Sequence, residues 1–123
     1  MSHDLPQSAI KRDLLDGYAK RWGAPFVVQM IDLFLQESPA RLAAAEHGLA
    51  AGDPASVGAA AHALKSSAGN LGAVALMNQM AALEQAARAG EAAETLAPMV
   101  AHMAEELDRV RASLLELRVE LAP

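Results

Sequence analysis

Leu96, Val100, Met103, Leu107, Val110, Leu114, Leu117 and Leu121 step along the chain by four, three, four, three, four, three and four residues. Apolar side chains at that spacing line one face of a long helix, and other helices must cover such a seam. Pro98 stands near its start, so the helix either begins around Thr95 or bends there. The rest of the chain limits what can cover the seam. Aromatics make up only 3% of the 123 residues, and much of the 53% apolar content is alanine, the strongest helix former. The chain is therefore expected to be all-α.

Turn and cap signals divide the remainder. A first helix is expected over about residues 7–22, ended by Gly23-Ala24-Pro25. The second carries Val27, Met30, Ile31 and Phe34 at helical steps. Ser38-Pro39 has the look of an N-cap and a first-turn proline, so this helix kinks or restarts there before Leu42, Ala45 and Leu49 continue its stripe. Gly52 ends it, Asp53 caps the third helix, and Pro54 opens it. That helix closes near Gly69-Asn70-Leu71-Gly72, and a fourth runs from about 73 to 89 and stops at Gly90. Four long amphipathic helices with short connections predict an antiparallel four-helix bundle with an additional N-terminal helix. The reading is one domain over 1–123, its bundle at about 24–121.

Composition excludes several functions. With no cysteine, neither disulfides nor thiolate metal sites are available. A net charge of −5 and the lack of any basic run argue against nucleic-acid binding. No apolar stretch approaches the ~20 residues that span a bilayer. Met1-Ser2-His3-Asp4 lacks the basic and apolar regions of a signal peptide, so a cytoplasmic location is expected. His3 falls in a tail, and His47 and His102 have no second ligand at metal spacing, so no metal site is expected. Glu105, Glu106 and Asp108 read as a solvated acidic face, and Met30, Met77, Met80, Met99 and Met103 as core filler.

Chemistry concentrates on the third helix. Val57, Ala60, Ala61, Leu64, Ala68 and Leu71 share one stripe, and His62 lies roughly 140° around from Val57 on ideal geometry, so it faces away from the core. Its neighbours at one and two turns are Ala55, Gly58, Ala59, Lys65, Ser66 and Gly69. All but Lys65 are small, which lets a partner's surface approach the imidazole. Glycine inside a helix costs about 1 kcal/mol relative to alanine, so two on one face suggest a purpose other than stability. A neutral imidazole is a nucleophile toward phosphorus, and Lys65, one turn away, offers a cation to a phosphoryl group.

The stretch from Ala61 to Ala73, with His62, Leu64, Lys65, Ser66 and the closing Leu71-Gly72, resembles the signature of histidine-containing phosphotransfer (HPt) domains. The likeness extends over the preceding segment from Phe26 to Asp53 and the following one from Leu76 to Gly90. It implies that His62 is the phosphoacceptor, through the ring nitrogen farther from the backbone. Lys65 would help neutralise the phosphoryl charge. Ser66 stands where many members have glycine, and Gly69 would keep the adjoining surface open. Members often place a glutamine on the next helix to bond the other ring nitrogen, and Glu84 occupies the matching position. Glu84 sits at the edge of the Leu76, Met80, Leu83, Ala87 stripe, facing either the neighbouring helix or solvent, whereas Gln85 faces solvent.

The resemblance implies a phosphocarrier in a multistep two-component relay. A receiver-domain aspartate, of a hybrid histidine kinase for example, would load His62, and a response regulator's receiver would unload it. Mg²⁺ would belong to the receiver, and this chain would need no cofactor of its own. The docking face would include Gly58, Ala59, Ser66 and Gly69, bordered by Leu33 or Phe34. A short chain with one site suggests a monomer. Kinase dimerisation helices usually carry an acid directly after the histidine, whereas Ala63 follows His62. No autokinase activity is therefore expected. A plain helical adaptor is the remaining alternative.

Overall fold

The computed structural model describes residues 9–121. These form five helices: α1 (Arg12–Trp22), α2 (Ala24–Ala50), α3 (Pro54–Asn70), α4 (Val74–Arg88) and α5 (Ala93–Leu121). No strand occurs among the described residues. α3 packs between α2 and α4, α5 packs against α2 and α4, and α1 lies on α2. The α5 seam is buried as its spacing requires, from Leu96 to Leu117, with Leu121 half-buried at the end. Leu64, Met80, Leu83, Met103 and Leu114 are all buried to within 1%. Each such side chain contributes about 1.5–3 kcal/mol relative to an exposed position.

Two turns with the same construction fix α3. Gly52 (φ +67°) lets the Asp53 N–H reach back to the Gly48 carbonyl at 2.8 Å, and Gly72 (φ +69°) does the same for Ala73 and Ala68 at 2.9 Å. Both use the left-handed conformation that glycine adopts without a Cβ penalty. At the N-terminus of α3, Asp53 accepts from the Ser56 N–H at 3.3 Å, the cap the sequence predicted. Gly48 is buried where α2 meets α3, and an added Cβ would stand 2.9 Å from the Ser56 Cβ.

Two expectations need correction. α2 does not restart at Pro39: one helix runs through it, and Ser38 is buried inside that helix rather than capping a new one. Pro39 has no N–H to give the Leu35 carbonyl, but Arg111 of α5 donates to that carbonyl at 3.3 Å. The helix survives because another helix replaces the lost donor. Arg111→Ala is expected to cost about 1–2 kcal/mol by orphaning this acceptor. In a Pro39→Ala background the cost should shrink. Urea denaturation of the four variants measures it, and equal costs in both backgrounds would refute the substitution.

The second correction concerns α1, which starts at Arg12 rather than near residue 7. Residues 7 and 8 lie outside the described residues. Ala9 and Ile10 are not helical because their surroundings take the local backbone elsewhere: the Ala9 N–H donates to Ser113 Oγ at 3.4 Å, Ile10 is buried, and the Lys11 N–H donates to the Gly72 carbonyl at 3.0 Å. α5 begins at Ala93, two residues before Thr95, with Pro98 inside it, and the Ala92 carbonyl accepts from both Thr95 and Leu96.

Candidate functional site

The buried stripe of α3 holds Val57, Ala60, Ala61, Leu64 and Ala68 against the core, which leaves the His62 side chain 57% exposed. α4 lies alongside and buries Leu76, Met80, Leu83 and Ala87. Glu84 follows Leu83 by one residue, on the edge turned toward α3, and is only 7% exposed. It therefore faces the neighbouring helix, not solvent. Gln85, one residue further round, is exposed, as the wheel predicts.

The buried Glu84 carboxylate gathers three nitrogens. Oε1 accepts from Lys65 Nζ at 2.7 Å. Oε2 lies 2.9 Å from His62 Nδ1 and 2.6 Å from Arg88 Nη2. An ionised carboxylate can only accept, so His62 Nδ1 carries a proton and donates it to Glu84, and in the neutral ring the Nε2 lone pair is then free. The same contact fixes the plane of the ring, the usual service of a carboxylate behind a functional imidazole. Arg88 escaped the sequence reading, although it stands four residues from Glu84, a spacing that brings opposite charges together on a helix.

Burying a carboxylate costs free energy unless donors and cations surround it. Here the Lys65 hydrogen bond, first among the causes, holds the Glu84 carboxyl below its ordinary value of 4.5. Burial opposes that shift, and His62 and Arg88 add to it. A folded-state value lowered in this way stabilises the fold fully above pH 4.5, and the contribution is lost as pH falls through the folded-state value. Wild type is thus expected to lose more stability than Glu84→Gln on acidification through this range. Urea midpoints at successive pH values test this, and parallel curves would contradict it.

The surroundings of His62 match the sequence reading in part. Ala59 and Ser66 are exposed beside it. Gly58 is not: it is buried beneath α4, and a Cβ there would stand 3.5 Å from the Ala87 Cβ and 3.9 Å from the Arg88 Cγ. α4 covers this position at ordinary van der Waals distance, so Gly58 does not open the surface to a partner. Gly69 is half-buried, and a Cβ there would press on Met77 Sδ at 3.3 Å. Of the two candidate apolar borders, Leu33 is 54% exposed and Phe34 is buried. Leu33, Met30 and Glu37 of α2 line a groove with Ser67 and Asn70, one to two turns along α3 from His62.

Other candidates separate from this site. His47 and His102 are exposed, and His3 lies outside the described residues. Among the described residues no group of three or more His, Cys, Asp or Glu side chains could hold a metal ion. Glu105 and Asp108 are exposed as expected, but Glu106 is buried beside Arg109 at 3.5 Å. No helix among the described residues is long and apolar enough to cross a membrane.

A family model described as the Hpt domain matches residues 29–113. No curated protein matches the chain. Among solved structures, histidine-containing phosphotransfer protein B from Pseudomonas aeruginosa PAO1 is similar, with a TM-score of 0.85 and 25% identity over 94% of this chain and 98% of that one.

Proposed function

This chain belongs to the Hpt domain family, and from that premise we propose that His62 carries a phosphoryl group between two receiver domains. The observation that supports this reading best is the geometry of the ring: Nδ1 is held on Glu84, which leaves Nε2 for a partner, on a side chain 57% exposed. The Nε2 lone pair attacks the phosphorus of a receiver's aspartyl phosphate. The N–P bond forms, the P–O bond breaks, and the electron pair leaves with the donor's carboxylate. Nδ1–H stays on Glu84, whose negative charge offsets the positive charge the ring acquires. Onward transfer reverses the step, with the acceptor's carboxylate as nucleophile. Such chemistry needs positioning and charge neutralisation more than covalent machinery. Lys65 supplies a cation one turn away.

The donor in this reading is the receiver of a hybrid histidine kinase, and the acceptor a response regulator's receiver. Mg²⁺ belongs to those receivers, and the chain itself uses no cofactor or nucleotide. The whole chain acts in the cytoplasm as one monomeric unit, an antiparallel bundle of α2–α5 with α1 added. The docking face comprises Ala59 and Ser66 around His62, and the exposed Leu33 marks its edge. Such encounters bury little surface and are brief.

Incubation of the full chain with a phosphorylated receiver is expected to move label onto it, and incubation with ATP alone to leave it unlabelled. A plain adaptor would take label from neither, and self-labelling from ATP would overturn the carrier reading.

A further inference from the structure

Glu84 reaches His62 because α4 lies close to α3, and Gly58 is where the two helices touch beside that contact. Gly58 is buried in α3, one turn before His62 on the same flank. A Cβ built on it would stand 3.5 Å from the Ala87 Cβ, 3.9 Å from the Arg88 Cγ and 4.0 Å from the Glu84 carbonyl oxygen. All three atoms belong to the turn of α4 that carries the Glu84 side chain. A methyl group fits at such distances. A longer side chain would run into Ala87 and the Glu84 backbone. Neither can swing aside, because one atom is a Cβ and the other is main chain. Gly69 provides the contrast. It lies two turns beyond His62, and a Cβ there would meet Met77 Sδ at 3.3 Å, in a flexible side chain that can yield.

We propose that Gly58 is a positioning residue: a side chain no larger than methyl at residue 58 keeps the Glu84 turn of α4 within reach of His62 Nδ1. This rests on the reading of His62 as the phosphoacceptor. Glu84 Oε2 lies 2.9 Å from Nδ1, and Oε1 lies 2.7 Å from Lys65 Nζ, so both contacts depend on the same helix separation. Close-packed helices have no spare volume for a larger group, so α4 itself would have to move. Lifting its Glu84 turn by about 1 Å would take the Nδ1 contact out of hydrogen-bond range. The ring would keep its place on α3 but lose the acceptor that sets its tautomer. The effect on the chemistry runs through Glu84, since the buried Gly58 has no side chain to meet the ring or a partner.

The test crosses Gly58→Leu with Glu84→Ala in the full chain. It reads the rate of loading from a phosphorylated receiver and the ring-nitrogen NMR signals of His62. Gly58→Leu is expected to slow loading about as much as Glu84→Ala does, and to move the ring away from the Nδ1–H tautomer. In the Glu84→Ala chain, Gly58→Leu should slow loading no further, because the contact it disturbs is already gone. Gly58→Ala should load at the wild-type rate and keep the Nδ1–H signal. Gly58→Val carries the same expectations as Gly58→Leu and replaces it if the leucine chain does not fold. Equal loading rates in wild type and the bulky variant would overturn the positioning role and leave His62 as carrier. So would a further slowing by the bulky variant in the Glu84→Ala chain. A wild type that takes no label on His62 would overturn both readings.

Discussion

His62→Ala is expected to take up no phosphoryl group from a phosphorylated receiver, while unfolding at nearly the wild-type urea concentration. The two halves of this result have separate causes. The side chain is 57% exposed and its contribution to packing is small, so its loss should change stability by no more than about 0.5 kcal/mol. The core stripe of α3 is untouched, and Glu84 keeps Lys65 and Arg88 as partners. The nucleophile, by contrast, has no substitute. Lys65 is engaged by a carboxylate, and Ser67 Oγ donates to the Ala63 carbonyl at 3.2 Å. Ser66 is exposed but has no base positioned to activate it, which a hydroxyl nucleophile requires. Gel-based transfer of label, run beside urea denaturation, checks both halves. Residual loading of a folded His62→Ala chain would place the acceptor elsewhere.

The second large effect is expected at Glu84. Loss of the carboxylate behind a metal-bound imidazole costs about 10–100-fold, and Glu84→Ala, which removes the same kind of support, is expected to slow transfer by roughly that factor in single-turnover measurements. The ring then loses the contact that fixes its tautomer and plane, and the charge developing on it loses its counter-charge. Glu84→Gln separates these losses. Its amide oxygen can still accept from Nδ1–H, but it brings no negative charge to the ring or to the two cations. An intermediate rate is therefore expected. A Glu84→Ala chain that transfers at the wild-type rate would show that the 2.9 Å contact has no part in the chemistry.

Much of this site could be read from residue spacing. The wheel turned His62 outward and Glu84 toward the edge of its stripe, because one helix's apolar face fixes the direction of every side chain on it. The wheel could not tell which flank a second helix covers. Gly58 and Ala59 are both small and both near His62, but α4 lies over the first and leaves the second open. A small residue serves a docking surface and a helix contact equally well, and only packing separates them. Pro39 was illegible for a related reason: the donor that rescues α2 lies 76 residues from Leu35. Likewise, the start of α1 depends on the Gly72 carbonyl, a partner that no local pattern announces.

The central claim is that Nε2 of His62 receives the phosphoryl group while Nδ1 remains protonated on Glu84. Phosphorus–nitrogen NMR on the loaded, nitrogen-labelled chain tests it most directly. The account predicts phosphorus coupling to Nε2 and a retained Nδ1–H signal that disappears in Glu84→Ala. Phosphorus bonded to Nδ1, or to any residue other than His62, would contradict it.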